Sequence, residues 1–255
     1  MSEKSQAVLV ENQFGSRAAA YLTSTVHAQG EDLQAIAAMV QGHADVLVLD
    51  LGCGAGHVSF TVAPHVAAVT ACDLSASMLE VVARAASDRG LANISVRRST
   101  AESLPFADGE FDFVISRYSA HHWHDLAAGL GEARRVLRPG GSAVFIDVIS
   151  RGTPLLDTFL QAIELLRDPS HVRNYSQGEW EQRLVRAGFV PGAATHRRLP
   201  LDFATWVKRM ATPETHIAAI RSLQQGAPRE VTEHLAIEAD GSFSLDTMTL
   251  EAATA

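Results

Sequence analysis

Three groups of residues in this sequence have the types and spacing for chemistry. The first is the glycine-spaced run Asp50-Leu51-Gly52-Cys53-Gly54-Ala55-Gly56. Glycine accepts positive φ and carries no side chain, so a ligand can approach the backbone closely at such a run. The second is Asp73, 17 residues beyond Gly56, whose two oxygens suit the paired hydroxyls of a ribose. The third is the cluster His121, His122 and His124 around Trp123. An imidazole titrates near neutrality and can take a proton from a hydroxyl, an amine or an activated carbon. No HExxH run or cysteine-rich ligand spacing occurs, so no metal is expected.

These groups need a scaffold, and the hydrophobic pattern supplies one. Val46–Leu51 is a short apolar run ending at the glycines, the signature of a strand buried on both faces. Further strands are expected at Ala67–Cys72, Ile94–Arg97, Phe111–Ser116 and Ser142–Asp147, the last introduced by the turn Arg138-Pro139-Gly140-Gly141. Helical segments separate them, and Ser75 reads as the N-cap of a helix closed by Gly90. Strands alternating with helices imply an α/β, doubly wound, mostly parallel sheet, with the loops after each strand along one carboxyl edge. That edge brings Asp50, the glycines, Asp73 and the histidines together.

The expected organisation is a helical arm covering the cofactor over residues 1–45, a cofactor-binding core over 46–150, a mostly helical lid or substrate region with one core strand over 151–230, and C-terminal strands completing the sheet over 231–255. Within the arm, residues 1–15 read as a loosely held polar stretch and Ser16–Gln29 as a helix. Ala239-Asp240-Gly241 reads as the turn of a terminal hairpin between Glu233–Glu238 and Ser242–Leu250.

Two cofactors use a glycine loop above a helix N-terminus, and spacing distinguishes them. A dinucleotide fingerprint places a third small residue where this chain has His57. Asp50 also suits an ammonium better than a diphosphate. The loop and Asp73 therefore favour S-adenosylmethionine (SAM), which carries an ammonium and a sulfonium but no phosphate. A purely structural turn, with Asp73 as a helix cap, is the competing interpretation.

The runs Leu49–Gly56, Asp73-Leu74-Ser75-Ala76-Ser77-Met78, Ala101–Phe106, Phe111-Asp112 and Leu137–Gly141 resemble the class I SAM-dependent methyltransferases of the ubiquinone/menaquinone C-methyltransferase group (methyltransferase type 11-like). Ser116–Trp123 and Arg167–Arg173 resemble a narrower bacterial subgroup. The resemblance implies a Rossmann-like seven-stranded sheet, with a helical lid and an antiparallel C-terminal strand or hairpin. It also implies roles: Asp50, Gly52 and Gly54 along the methionine moiety, Asp73 on the ribose, Leu74 and Met78 against the adenine, and Ala101 and Glu102 at its edge. Thr100 stands where relatives often have Asp. Cys53, Ser116, Arg117 and Tyr118 complete the expected wall, with Tyr21 and His27 folding over it from the arm.

On the acceptor side the candidates are His121, also the candidate general base, with His122, His171, Arg173, Tyr175, Trp206 and Arg209. Arg173 and Arg209 would suit an anionic substrate, unless they pair with acids such as Asp168 or Glu214. The expected activity is methyl transfer from SAM to a small molecule, leaving S-adenosylhomocysteine. The alternatives are a SAM-binding protein without transfer activity and, weaker, an NAD-dependent dehydrogenase. A net charge of −8, with 29 acidic against 21 basic residues, disfavours nucleic acid as a partner. Two cysteines and no long apolar run point to a cytoplasmic protein without stable membrane insertion.

Overall fold

The apolar runs become the inner strands of one sheet. The computed structural model describes residues 5–14, Leu22 and residues 30–254. Among these residues the strands are β1 (Leu47–Leu51), β2 (Ala68–Asp73), β3 (Ile94–Arg98), β4 (Phe111–Arg117), β5 (Leu137–Val148), β6 (Phe189–Leu201) and β7 (Phe243–Thr254). They form a seven-stranded sheet in the order β3-β2-β1-β4-β5-β7-β6. β1 to β5 pair in parallel, and only β7 runs antiparallel, between β5 and β6. The order reverses between β1 and β4, so a crevice opens above their carboxyl ends.

Alternation along each strand divides the core in two. Val48, Ile115, Val144 and Ile146 face one side with Leu33, Ile36 and Val40 of α2 (Glu31–Val40) and Val58 and Val62 of α3 (His57–Val62). Leu49, Leu51, Val114 and Phe145 face the other, against Leu126, Leu130 and Val136 of α5 (Leu126–Val136) and Trp180 and Leu184 of α7 (Gln177–Arg186). Each such side chain contributes about 1.5–3 kcal/mol on full burial, and slipping one residue in register would reverse every face. The helix after β2 is α4 (Ala76–Asp88), with the Ser75 hydroxyl accepting from Met78 N at 3.3 Å.

A third core lies beneath α6 (Pro154–Arg167), α8 (Phe203–Met210), α9 (Glu214–Gln225) and α10 (Arg229–Leu235). Leu160, Ile163, Trp206, Ile220, Val231 and Leu235 pack there on Phe243 and Leu245 at the start of β7. Among the described residues no helix is long and apolar enough to cross a membrane.

Three expectations change. The polar stretch at the start contains a helix, α1 (Gln6–Phe14), whose Ala7, Val10 and Phe14 share one face. The terminal hairpin is absent, because Val231 and Leu235 are both buried at helical spacing and draw Arg229–Leu235 into α10. The Asp-Gly turn instead joins α10 to β7, with Glu238 N donating to Ser242 O at 2.8 Å. The Arg-Pro-Gly-Gly turn belongs to β5 itself, where Leu137 pairs with Phe111 and the register shifts before Phe113. Of Ser16–Gln29 only Leu22 is described, and it is helical.

Candidate active site

Backbone pairing brings the glycine loop and Asp73 together. Gly52 N and Cys53 N both donate to Cys72 O, at 2.8 and 2.9 Å, tying the loop after β1 to the end of β2. Gly52, Gly54 and Gly56 all have positive φ (73°, 49° and 85°). A Cβ on Gly52 would collide with Ser119 Oγ, whereas one on Gly54 would meet nothing within 4 Å. Gly54 therefore borders open space. Asp73 closes the ring: Oδ2 accepts from Gly54 N at 2.8 Å and Oδ1 from Ser75 N at 2.9 Å. Burial pushes its carboxyl pKa upward, against the pull of these N–H groups.

Gly52→Ala tests this account of the loop. Alanine at that φ, placed against a hydroxyl already held by the Trp123 indole N–H (3.1 Å), should cost about 2–4 kcal/mol. Thermal unfolding reads the effect, and an unchanged melting temperature would mean that the loop follows a different path.

Asp50, the next-to-last residue of β1, precedes the loop and is almost fully buried. Its Oδ2 accepts from both Ser59 N (3.0 Å) and Ser59 Oγ (2.6 Å) near the start of α3. Burial pushes its pKa up to about 7, despite the two Ser59 bonds. On the far side of the crevice Arg117, at the tip of β4, donates to Asp32 of α2 at 2.6 Å, with both side chains buried.

These residues wall a cavity of about 190 Å³ at the switch point of the sheet. Asp50, Gly52, Cys53, Gly54, Asp73, Leu74, Met78, Thr100, Ala101, Glu102, Arg117 and Tyr118 all line it, as the sequence led us to expect. Ser116 does not: it lies one residue deeper in β4, buried, on neither cavity. Tyr21 and His27 lie outside the described residues.

A smaller cavity, about 90 Å³, abuts the first, and Phe14, Tyr118 and His122 line both. His121, Trp206 and Arg209 line it with Glu164, Arg167, Asp168 and Asn174. His121 Nδ1 lies 2.5 Å from Asp147 Oδ1 at the end of β5, and His121 N donates to Asp147 Oδ2 at 3.1 Å. Burial alone would lower the imidazole pKa, but the Asp147 charge and hydrogen bond outweigh it and raise the value. Neighbouring His122 behaves oppositely, falling to about 4 through burial and the charge of His121.

Three expected acceptor residues lie away from both cavities. His171 Nε2 bonds Gln161 Oε1 at 2.9 Å. Arg173 pairs with Asp157 at 3.0 Å and Glu179 at 3.5 Å, which are not the acids named from sequence. Tyr175 is buried and packs edge-on against Trp180.

A family model described as a methyltransferase domain matches residues 49–145. "Uncharacterized protein YafE" of Escherichia coli (strain K12) is 50% identical over 201 residues, covering 79% of this chain and 97% of that protein. "Uncharacterized methyltransferase YcgJ" of Bacillus subtilis (strain 168) is 36% identical over 203 residues, 80% of each chain. The crystal structure of YcgJ superposes with a TM-score of 0.85 at 30% identity, covering 88% of this chain and 98% of that one. The ubiquinone/menaquinone biosynthesis C-methyltransferase UbiE of Rhizobium meliloti (strain 1021) is 31% identical over 145 residues, 55% of this chain and 56% of that protein. The chain belongs to the class I SAM-dependent methyltransferases.

The larger cavity of this methyltransferase fits SAM on its own geometry. Gly54 leaves room against the backbone, Asp73 has lone pairs beyond the two it uses, and Leu74 and Met78 offer an apolar wall. Several lining residues were missed from sequence. Trp123 and Ser119 follow β4, and Ala7, Val10 and Phe14 come from α1. The spacing of those three apolar residues was the only available signal for α1.

Proposed function

We propose that this methyltransferase moves a methyl group by in-line displacement from SAM in the larger cavity to a small molecule in the smaller one, with His121 as general base. The observation that carries this reading is the shared wall: Phe14, Tyr118 and His122 border both spaces, so the two cavities lie side by side. SAM supplies an electrophilic methyl carbon on a sulfonium. The chain supplies alignment and exclusion of water, which account for much of the acceleration in such displacements.

Asp73 takes the ribose, Leu74 and Met78 the adenine face, and Thr100, Ala101 and Glu102 its edge. Asp50, Gly52 and Gly54 border the methionine moiety. α1 acts as a cover: Gln6 Nε2 donates to the carbonyls of His122 (3.1 Å) and Ser170 (2.6 Å), holding Ala7, Val10 and Phe14 over the cavities. The protein works in the cytoplasm, where Cys53 and Cys72, both buried thiols, stay reduced, and its partner is a small acceptor rather than nucleic acid.

Calorimetric titration with SAM, followed by a metabolite screen for release of S-adenosylhomocysteine, tests the proposal. Saturable binding at a single site and turnover with at least one acceptor are expected. No heat of binding at millimolar SAM would refute it.

A further inference from the structure

Glu164 and Arg167 share one face near the end of α6, Asp168 ends that helix, and all three line the smaller cavity. Glu164 has a cation at hand: its Oε2 lies 3.4 Å from Arg167 Nη1. Arg167 also donates through Nε to Trp206 O at 3.2 Å, with its guanidinium 4.8 Å from the centre of the Trp206 ring. Arg209 has a partner too.

Asp168 differs. Its side chain is only 3% exposed, and no lysine or arginine pairs with it among the described residues. Oδ1 accepts from Ser170 N (2.8 Å) and Ser170 Oγ (2.6 Å), both neutral donors. The ionisable group beside Oδ2 is His122 Nε2 at 3.9 Å. With its pKa lowered to about 4, His122 is neutral near pH 7 and brings no charge to the pair. A carboxylate taken out of water without a cation is unfavourable, and a bound cation would relieve it.

Asp168 Oδ2 and Glu164 Oε1 accept no hydrogen bond among the described residues, yet neither atom is sealed off. Both charges act on His121 and help to raise its pKa, so they stand around the same space as its ring. Asp147 can only accept, which puts the ring proton on Nδ1 and leaves the free pair on Nε2. Three acceptor atoms, two of them charged, thus border one cavity, and a primary ammonium has three N–H donors. An anion suits the place badly, because Arg167 already serves Glu164 and the newcomer would face two carboxylates. Val148, Leu201, Trp206, Met210 and Leu245 offer an apolar wall for a carbon skeleton.

We propose that the smaller cavity binds a compact primary alkylammonium, held by Asp168 Oδ2, Glu164 Oε1 and His121 Nε2, and that its nitrogen is the atom methylated. This rests on the methyl-transfer reading above and adds the acceptor's chemical class. One N–H bond breaks with its proton passing to His121 Nε2. The freed pair on nitrogen, turned toward the methyl, forms the carbon–nitrogen bond, while the carbon–sulfur bond breaks with its pair left on sulfur. Positive charge leaves sulfur and reappears on nitrogen beside the two carboxylates, so their attraction is stronger in the transition state than for the neutral amine. The same carboxylates raise the proton affinity of imidazole and ammonium together, so holding the cation does not by itself oppose the proton transfer.

Butylammonium and benzylammonium are titrated calorimetrically into the full chain saturated with S-adenosylhomocysteine, beside the alcohol and the carboxylate of each skeleton. The ammonium should bind about tenfold or more tighter than the alcohol, with the carboxylate weakest. Asp168→Asn keeps an acceptor for Ser170 and removes the charge. It should weaken ammonium binding about tenfold and alcohol binding less than about twofold, a split that general damage to the wall would not produce. Glu164→Gln should act in the same direction, and it supplies the comparison if Asp168→Asn does not fold. With SAM, the amines should be methylated in preference to the alcohols and carboxylates, with kcat/KM about tenfold or more lower in Asp168→Asn. No ammonium preference in the wild type, a carboxylate bound tightest, faster turnover of an alcohol or carboxylate, or equal weakening of ammonium and alcohol by the variant would overturn the proposal. Since SAM binding is measured separately, its loss would instead count against the underlying function.

Discussion

Replacing His121 by glutamine should lower kcat by about 100- to 1,000-fold, within the usual contribution of a positioned general base. SAM affinity should change by less than about twofold, since His121 borders only the smaller cavity. Asp147 should matter through the imidazole. Its Oδ1 takes the ring Nδ1 at 2.5 Å and Val148 N at 2.8 Å, and its Oδ2 takes His121 N at 3.1 Å. Asn at this position keeps one acceptor oxygen but removes the charge that raises the His121 pKa against burial. The sign follows from which form reacts. A base works unprotonated, so kcat/KM should climb with pH through a pKa above the ordinary histidine value of 6.5 and then level off. Asp147→Asn should move that limb to lower pH and lower the plateau, because the weaker base transfers the proton less readily. His122, near 4, is already neutral through this range and adds no second limb. A wild-type profile flat between about pH 6 and about pH 9 would remove His121 from the chemistry.

The parts of the site that were legible in the sequence are those set by short-range pattern. β1, β2, β4 and β5 are buried runs that carry Asp50, Asp73, Arg117 and Asp147 at or next to their last residue, and parallel pairing brings those ends to one edge without further information. The cofactor side follows because its residues lie directly after β1, β2, β3 and β4. The acceptor side joins segments remote in sequence, and its pairings depend on helix placement that local pattern does not encode. Arg173 was a plausible anion site until α6 placed Asp157 beside it. A covering arm was expected, through Tyr21 and His27, but not the part of it played by α1, because Gln6 holds that helix through carbonyls more than a hundred residues away. α10 shows local ambiguity instead, since Glu233–Glu238 alternates like a strand but Val231 and Leu235 pack as a helix.

Asp73→Ala should weaken SAM binding by about 100-fold or more, and the structural duty of this carboxylate makes the comparison informative. A carboxylate offers about four acceptor directions. One on each oxygen is taken, by Gly54 N and Ser75 N, leaving the others for two ribose hydroxyls. Charge-assisted bonds contribute about 1.5–3 kcal/mol each, so losing a pair to the ligand corresponds to two or more powers of ten in affinity. Alanine also leaves the Gly54 and Ser75 N–H groups without their acceptor, so the melting temperature should fall as well. Loop damage alone could weaken binding, and a ligand difference separates the two effects. Wild-type protein should bind methylthioadenosine more tightly than its 2′-deoxy counterpart by about tenfold. Asp73→Ala should bind the two alike, because the group that detects the missing hydroxyl is gone. Asp73→Asn, keeping one acceptor oxygen without the charge, should fall between them. If calorimetry finds the tenfold preference intact in the alanine variant, the ribose is held by another group and Asp73 serves only to shape the loop.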